Sequence, residues 1–316
     1  MTSSPAVVSA EVADAVAAGR PVVALESTIF THGLPRPRNV RVALEAEEQL
    51  RGVGVVPATI GVLDGRAVVG LSTAEIERLG ATDDAVKVSI RDLPVAVAKG
   101  RCGGTTVAAT ALLAHRAGIA VFATGGLGGV HRGAASTFDE SADLPALAAT
   151  PILVVSAGVK SILDVPATLE RLETLNVAVL GYRTDAFPGF YVRDSGQPVP
   201  ERVESAAEVA AVLRARDALG LSAAVLLANP IAEQAQLDPA EHDAVLAAAL
   251  AGADDAGISG NRTTPYLLDQ IQQATAGRSL EVNVEVYRGN VGLAGEVARE
   301  LVAERAGVPQ PSVSTG

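Results

Sequence analysis

The run Ile152-Leu153-Val154-Val155-Ser156, continuing into Ala157-Gly158-Val159-Lys160-Ser161, decides how the rest of the chain reads. A strand wetted on one face alternates apolar and polar residues, whereas an unbroken apolar run marks a strand covered on both faces. After this run come a helical pattern at 167–175 and a further apolar run at 177–181. That succession is the signature of a crossover between parallel strands. Working outward, apolar runs recur at 21–25, 59–63, 68–70, 120–124 and 223–228, with helical patterns at 40–52, 72–79, 106–117, 206–219, 239–253, 266–276 and 294–306. Asp238 before Pro239 reads as an N-cap with proline in the first helical position. The alternation predicts an α/β protein, three layers α/β/α with a largely parallel central sheet.

At 316 residues the chain can bury a large core. No linker, charge block or internal repeat divides it, so a single domain over 1–316 is expected, with an ordered core from about 10 to 307 and a frayed tail at 309–316. Aromatics make up 3% and Trp is absent, so the core must come from Ala, Val, Leu and Ile. The formal charge of −11 argues against a nucleic-acid partner, which would need clustered Lys and Arg. Cys102 is the only cysteine, which rules out an intrachain disulfide and a thiolate metal cluster. The start of the sequence lacks the pattern of a signal peptide, and the longest uncharged run, 144–159, is too short and too interrupted to span a membrane; a cytoplasmic home is the default expectation. Only 187–202 breaks the rhythm, with Pro188, Gly189, Gly196, Pro198 and Pro200 around Phe187, Phe190 and Tyr191. Such a segment serves as a lid, a binding loop or an oligomer contact.

Strand ends are where loops converge on ligands in open α/β sheets. After the first run come Glu26-Ser27-Thr28 and Thr31-His32-Gly33. A carboxylate set against that run should be partly desolvated, as suits a general acid, though a Glu there equally caps a helix or pairs with an Arg. After 120–124 lies Gly125-Gly126-Leu127-Gly128-Gly129-Val130-His131-Arg132-Gly133, whose glycines can turn backbone N–H groups toward an anion, with His131 and Arg132 as added charge. Gly103-Gly104-Thr105-Thr106-Val107 opens a helix, whose N-terminus attracts phosphate. Lys160 sits among small and apolar residues, and desolvation there favours a neutral amine able to attack a carbonyl carbon; a surface lysine is the plainer alternative. In Thr137-Phe138-Asp139-Glu140-Ser141-Ala142-Asp143, two carboxylates four apart suit a hard divalent cation or the cap of a helix. In Glu281-Val282-Asn283-Val284, Asn283 reads as a donor on a strand. Four His without paired spacing give no zinc pattern.

Taken together, these segments resemble the pseudouridine-5′-phosphate glycosidase family. The resemblance runs in one order through Val23-Ala24-Leu25-Glu26-Ser27-Thr28, Thr31-His32-Gly33, Val86-Lys87-Val88-Ser89-Ile90-Arg91-Asp92-Leu93-Pro94, Thr105-Thr106-Val107-Ala108, the glycine run to Gly133, Thr137-Phe138-Asp139, Ser141-Ala142-Asp143, Ser156-Ala157-Gly158-Val159-Lys160-Ser161, Ala228-Asn229-Pro230-Ile231 and Thr264-Pro265-Tyr266. It spans roughly residues 17–305.

The resemblance implies a lyase that reversibly splits pseudouridine 5′-phosphate with water into ribose 5-phosphate and uracil, aided by Mn2+, in a cytoplasmic homotrimer. It implies Lys160 as the nucleophile and Glu26 as the proton donor. By the same likeness Lys87, Val107, Ser141, Ala142, Asp143 and His131 contact substrate, Asp139 holds the metal, and Asn283 lies near uracil although its neighbours differ from the family's. A carbon–carbon glycosidic bond has no heteroatom leaving group, so protonating the base does not suffice. Ring opening assisted by Glu26 would let Lys160 reach C1′ and form an imine. An imine-forming aldolase and a non-catalytic sugar-phosphate sensor are the alternatives.

Overall fold

The strands of the central sheet form largely at the apolar runs. A computed structural model describes residues 6–258, 260 and 263–307. In chain order the strands are β1 (Ala6–Val8), β2 (Val22–Leu25), β3 (Val56–Leu63), β4 (Arg66–Val69), β5 (Val86–Val88) and β6 (Gly103–Thr105). They continue with β7 (Val121–Ala123), β8 (Leu153–Ser156), β9 (Ala178–Tyr182), β10 (Glu201–Val203) and β11 (Val225–Ala228). The main sheet runs β3-β2-β7-β8-β11-β9-β10 and every pairing in it is parallel.

Side chains alternate across this sheet, and the core divides accordingly. Val22, Ala24, Phe122, Val154 and Leu226 pack with helices Ala10–Ala17, Val107–Arg116, Val165–Thr174 and Pro239–Asp255 on one side. Val23, Leu25, Val121, Leu153, Val155 and Leu227 pack with Arg38–Gly52, Ala206–Ala218 and most of Arg278–Gly307 on the other. Both faces are therefore dry, which explains the unbroken apolar runs, and the three-layer α/β/α fold with its largely parallel sheet is what the sequence predicts. Asp238 caps its helix as expected, accepting from the Glu241 N–H at 2.9 Å, with Pro239 in the first turn.

Strand β3 belongs to two sheets. Its first half pairs with β2, ending at Leu25↔Thr59; its second half runs antiparallel to β4 and, from Gly61, to β6. Strands β5 and β1 extend this smaller mixed sheet. Ile60 falls between the end of β2 and the start of β6, and its carbonyl accepts from Ser27 Oγ at 2.6 Å and Thr105 Oγ1 at 2.7 Å. Thr105 N–H donates to Ser27 Oγ at 2.8 Å, and Thr110 Oγ1 donates to Thr105 Oγ1 at 2.9 Å. All of these hydroxyls are buried, so the cluster satisfies itself where water cannot.

Two expectations change. Residues 281–284 are not a strand: Asn283 lies in the helix Arg278–Gly307, which begins well before 294. The local β-branched pattern is overridden by the spacing of Val284, Tyr287, Val291, Ala294 and Val297, which makes one buried stripe against the sheet. Strands β1, β5, β6 and β10, of three residues each, escape a reading based on apolar runs. In the segment 187–202, Phe187, Phe190 and Tyr191 are buried and the last two stack edge to face at 4.8 Å. The tail at 309–316 lies outside the described residues.

The Ile60 cluster gives a stability prediction. Ser27→Ala or Thr105→Val leaves the Ile60 carbonyl one donor, whereas the double variant leaves it none. Urea denaturation should show the double variant about 1–3 kcal/mol less stable than either single one.

Candidate active site

The ends of β2, β7 and β8 are neighbours in the sheet, and the segments that follow them converge on a cavity of roughly 200 Å³. From the end of β2 comes Glu26; from the turn after β7, Gly128 and His131; from the turn after β8, Lys160. Lys87 and Ser89 enter from the end of β5, and Thr106 and Val107 from the start of the following helix. The segment 139–143 completes the lining together with Thr28, Ile162, Leu163 and Thr264.

Glu26 is buried, and its two carboxylate oxygens accept hydrogen bonds from the hydroxyls of Thr28 and Thr124. Two donors on two oxygens leave the carboxyl group little freedom to rotate. Thr124 is itself buried and sits at the end of β7, so the clamp is built from the sheet rather than from a loose loop.

Asp143 ties two backbone segments together. Its Oδ1 accepts from the Ala108 N–H at 3.0 Å, in the first turn of Val107–Arg116, and its Oδ2 accepts from the Gly128 N–H at 2.9 Å. The carboxylate thus complements the helix dipole and holds the glycine turn to it. A Cβ on Gly128 would fall 2.2 Å from Ser141 Oγ and 2.9 Å from Asp143 Oδ2, so this approach requires glycine. Among the described residues the Val107 N–H has no protein partner and borders the cavity, which leaves it as a donor for an anion.

Lys160 reaches the cavity through a second glycine-dependent turn. Gly158 has φ +76, and a Cβ on it would lie 2.5 Å from the Pro188 carbonyl of the 187–202 segment. The Leu127 N–H donates to the Gly158 carbonyl at 3.0 Å and the Lys160 N–H to the Leu127 carbonyl at 3.2 Å. These bonds fix the turns after β7 and β8 in register.

The charges interact at short range. Burial holds the Lys87 ammonium below its ordinary lysine pKa, and the Lys160 ammonium lowers it further, while Asp143 and Glu26 act in the opposite sense. Lys87 nonetheless keeps contact with solvent at the mouth of the cavity. Burial likewise lowers the pKa of His32, with Lys87 adding to the effect.

The residues present fit only a particular kind of metal ion. Among the described residues no three of His, Cys, Asp and Glu converge on one point. Glu140 pairs with Arg171 at 2.9 Å, and both oxygens of Asp143 are taken by N–H groups. Asp139 borders the cavity with its carboxylate uncommitted among the described residues. A single carboxylate suits a hard cation that keeps most of its waters and completes its shell with ligand oxygens.

Glu26, Lys160, Lys87, Val107, His131, Asp139, Ser141, Ala142 and Asp143 are therefore brought to one cavity. Asn283 is not among the lining residues; it lies beside Gly125, where a Cβ would come 3.4 Å from its Oδ1. Sequence reasoning missed the roles of Thr28 and Thr124. Thr28 stands in the quoted Glu26-Ser27-Thr28, two residues from the carboxylate it clamps, whereas Thr124 ends the run 120–124 and clamps a residue 98 positions away, which leaves no local trace.

Comparison with known proteins gives a consistent picture. The family described as indigoidine synthase A like protein matches residues 11–300. A pseudouridine-5′-phosphate glycosidase from Saccharopolyspora erythraea is 63% identical over 301 residues, covering 95% of this chain and 99% of that one. Its counterpart from Caldanaerobacter subterraneus subsp. tengcongensis is 48% identical, covering 93% and 95%. Among solved structures, the prealnumycin C-glycosynthase AlnA, in complex with ribulose 5-phosphate, superposes with a TM-score of 0.89 at 42% identity, covering 96% of this chain and 99% of that one. An indigoidine synthase A-like protein from Thermotoga maritima gives a TM-score of 0.85 at 38% identity, covering 94% and 96%.

The Lys87 environment has a pH signature. With its pKa lowered in the folded state, the unfolded chain binds more protons, so folding carries a penalty that is full below the folded pKa and fades as pH rises to the ordinary lysine value, about 10.4. Lys87→Met should raise the melting temperature near neutral pH, and that gain should shrink steadily as the pH approaches the lysine range. A gain independent of pH would contradict this origin.

Proposed function

Because the chain belongs to the pseudouridine-5′-phosphate glycosidase family, we propose that it is a lyase that reversibly cleaves the C1′–C5 bond of pseudouridine 5′-phosphate, giving ribose 5-phosphate and uracil through an imine on Lys160. The supporting observation is the convergence of Glu26 and Lys160, from two separate strand ends, on one cavity that also holds Lys87 and the Val107 N–H.

The chemistry follows from what each residue can do. The 5′-phosphate binds the Val107 N–H and the ammonium of Lys87, which anchors the sugar when its ring opens. Glu26 gives a proton to the ring oxygen as that bond to C1′ breaks. The neutral amine of Lys160, its ammonium proton passed to solvent, bonds to C1′ and becomes a secondary ammonium, which gives one proton to the Glu26 carboxylate. The nitrogen lone pair so freed forms the C=N bond while the C1′–C5 electrons pass into the uracil ring, whose C5 takes that proton from Glu26. Water adds to the imine and releases ribose 5-phosphate, regenerating the amine. The clamp of Thr28 and Thr124 keeps Glu26 aimed throughout. Asp139 would hold a manganese ion, which would offset phosphate charge and order water. Trimeric assembly and a cytoplasmic site of action belong to the same reading and rest on resemblance to the family.

Incubation with ribose 5-phosphate, uracil and Mn2+ should yield pseudouridine 5′-phosphate. An aldolase would ignore uracil, and a sensor would bind the sugar phosphate unchanged. Borohydride added during turnover should attach a pentose phosphate to Lys160, and Lys160→Ala should lose the adduct; labelling of Lys87 instead would overturn the assignment. By calorimetric titration of ligand-loaded protein, Asp139→Ala should weaken Mn2+ binding by about tenfold or more. Equal affinity in the two proteins would remove Asp139 as the ligand.

A further inference from the structure

A pair of asparagines stands behind the cavity, and neither has a role in the chemistry described so far. Asn290, on the helix Arg278–Gly307, is 0% exposed in a face otherwise made of Tyr287, Val291 and Ala294. A primary amide in such a place is costly unless its groups are hydrogen-bonded. Its Nδ2 donates to the carbonyls of Thr124 at 2.7 Å and Gly125 at 3.1 Å, and its Oδ1 accepts from Asn229 Nδ2 at 3.0 Å. Two carbonyls on one side and an N–H donor on the other fix the orientation of the amide.

Both carbonyls belong to the turn that leaves β7. The Thr124 N–H donates to the Val155 carbonyl at 3.0 Å, and the Gly125 carbonyl also accepts from the Ala157 N–H at 3.0 Å, which joins this turn to the exit of β8 leading to Lys160. Asn229 adds the exit of β11, its N–H donating to the Ser156 carbonyl at 2.8 Å. Among the described residues the Thr124 carbonyl accepts from Asn290 alone, whereas the side chain of the same residue clamps Glu26. Removing the amide therefore strips a buried carbonyl of its partner, and a backbone that shifts to find water carries the Thr124 hydroxyl away from Glu26. An apolar residue would fill this face as well, so packing alone does not call for an amide.

We propose that Asn290, oriented by Asn229, is a positioning residue for proton transfer by Glu26, acting through the backbone of Thr124. The proposal rests on the reading of Glu26 as the proton donor. It touches neither substrate nor the reacting atoms, and its effect is confined to where the acid points.

The test compares full-length Asn290→Ala, Thr124→Val and the double variant in cleavage of pseudouridine 5′-phosphate, with melting temperatures recorded to confirm folding. Each single change should lower kcat by about 10- to 100-fold, the cost of misplacing a reacting group, with KM held within about threefold. The double variant should be no slower than the slower single one, because both changes break one path. Losses that multiply, a kcat equal to that of the parent, or a loss carried by KM would overturn the proposal. If Asn290→Ala fails to fold, Asn229→Ala at its half-buried position removes only the partner that orients the amide. Its kcat should fall severalfold at constant KM, and an unchanged kcat overturns the proposal. Glu26→Gln separates the two readings: a normal rate removes Glu26 as the acid, whereas a slow Glu26→Gln with multiplying losses removes only the link through Asn290.

Discussion

Where a strand passes from one sheet into another its ladder can break and leave a buried carbonyl in need of other donors, and the site depends on how this chain answers that constraint. In β3 the orphaned group is the Ile60 carbonyl, and Ser27 and Thr105 satisfy it with side-chain hydroxyls. Ser27 immediately follows Glu26, and Thr105 immediately precedes Thr106-Val107. Meeting one backbone hydrogen bond therefore brings the carboxylate at the end of β2 beside the first N–H of the helix Val107–Arg116. The acid and the anion donor are neighbours because the fold needed both segments in the same place.

The same economy of short polar side chains governs the rest of the site. The net charge of −11 describes the outer surface and not the cavity, where Lys87 and Lys160 face Glu26 and Asp143 closely enough for each to influence Lys87. Charges in such a space are useful only if they cannot collapse onto one another. Asp143 is held off by two backbone N–H groups and Glu26 by two threonine hydroxyls, so neither is free to swing into a salt bridge with an amine. Neutral donors fix the carboxylates, and the two amines remain available to a phosphate and a carbon centre.

Much of this was legible in the sequence, for a physical reason. Strands dry on both faces announce themselves as apolar runs, and the residues just past each run are where ligands bind, so Glu26, the glycine run and Lys160 could be named without coordinates. What was not legible depends on long-range partners. Asp143 reads as a metal ligand or cap from its spacing, and only the fold shows its oxygens spent on Ala108 and Gly128. Asn283 looked like part of a strand because Val282 and Val284 flank it; a stripe extending to Val297 on the same helix face outweighs that local preference. Three-residue strands such as β5 and β6 carry too little pattern to be seen, yet β5 brings Lys87 and Ser89 to the cavity.

The segment 187–202 packs its aromatic residues against the turns that carry the site. Phe190 lies against Gly126, where a Cβ would come 2.6 Å from its ring, and the Pro188 carbonyl presses on Gly158 in the same way. Both glycines sit in the turns after β7 and β8, and no residue of 187–202 is among those lining the cavity. A flexible turn placed against a rigid aromatic backing loses the conformational freedom that glycine brings, which is the condition for holding Lys160 at a fixed distance from Glu26. The glycines permit the tight path, and the buried aromatics behind them select one conformation from those the glycines allow.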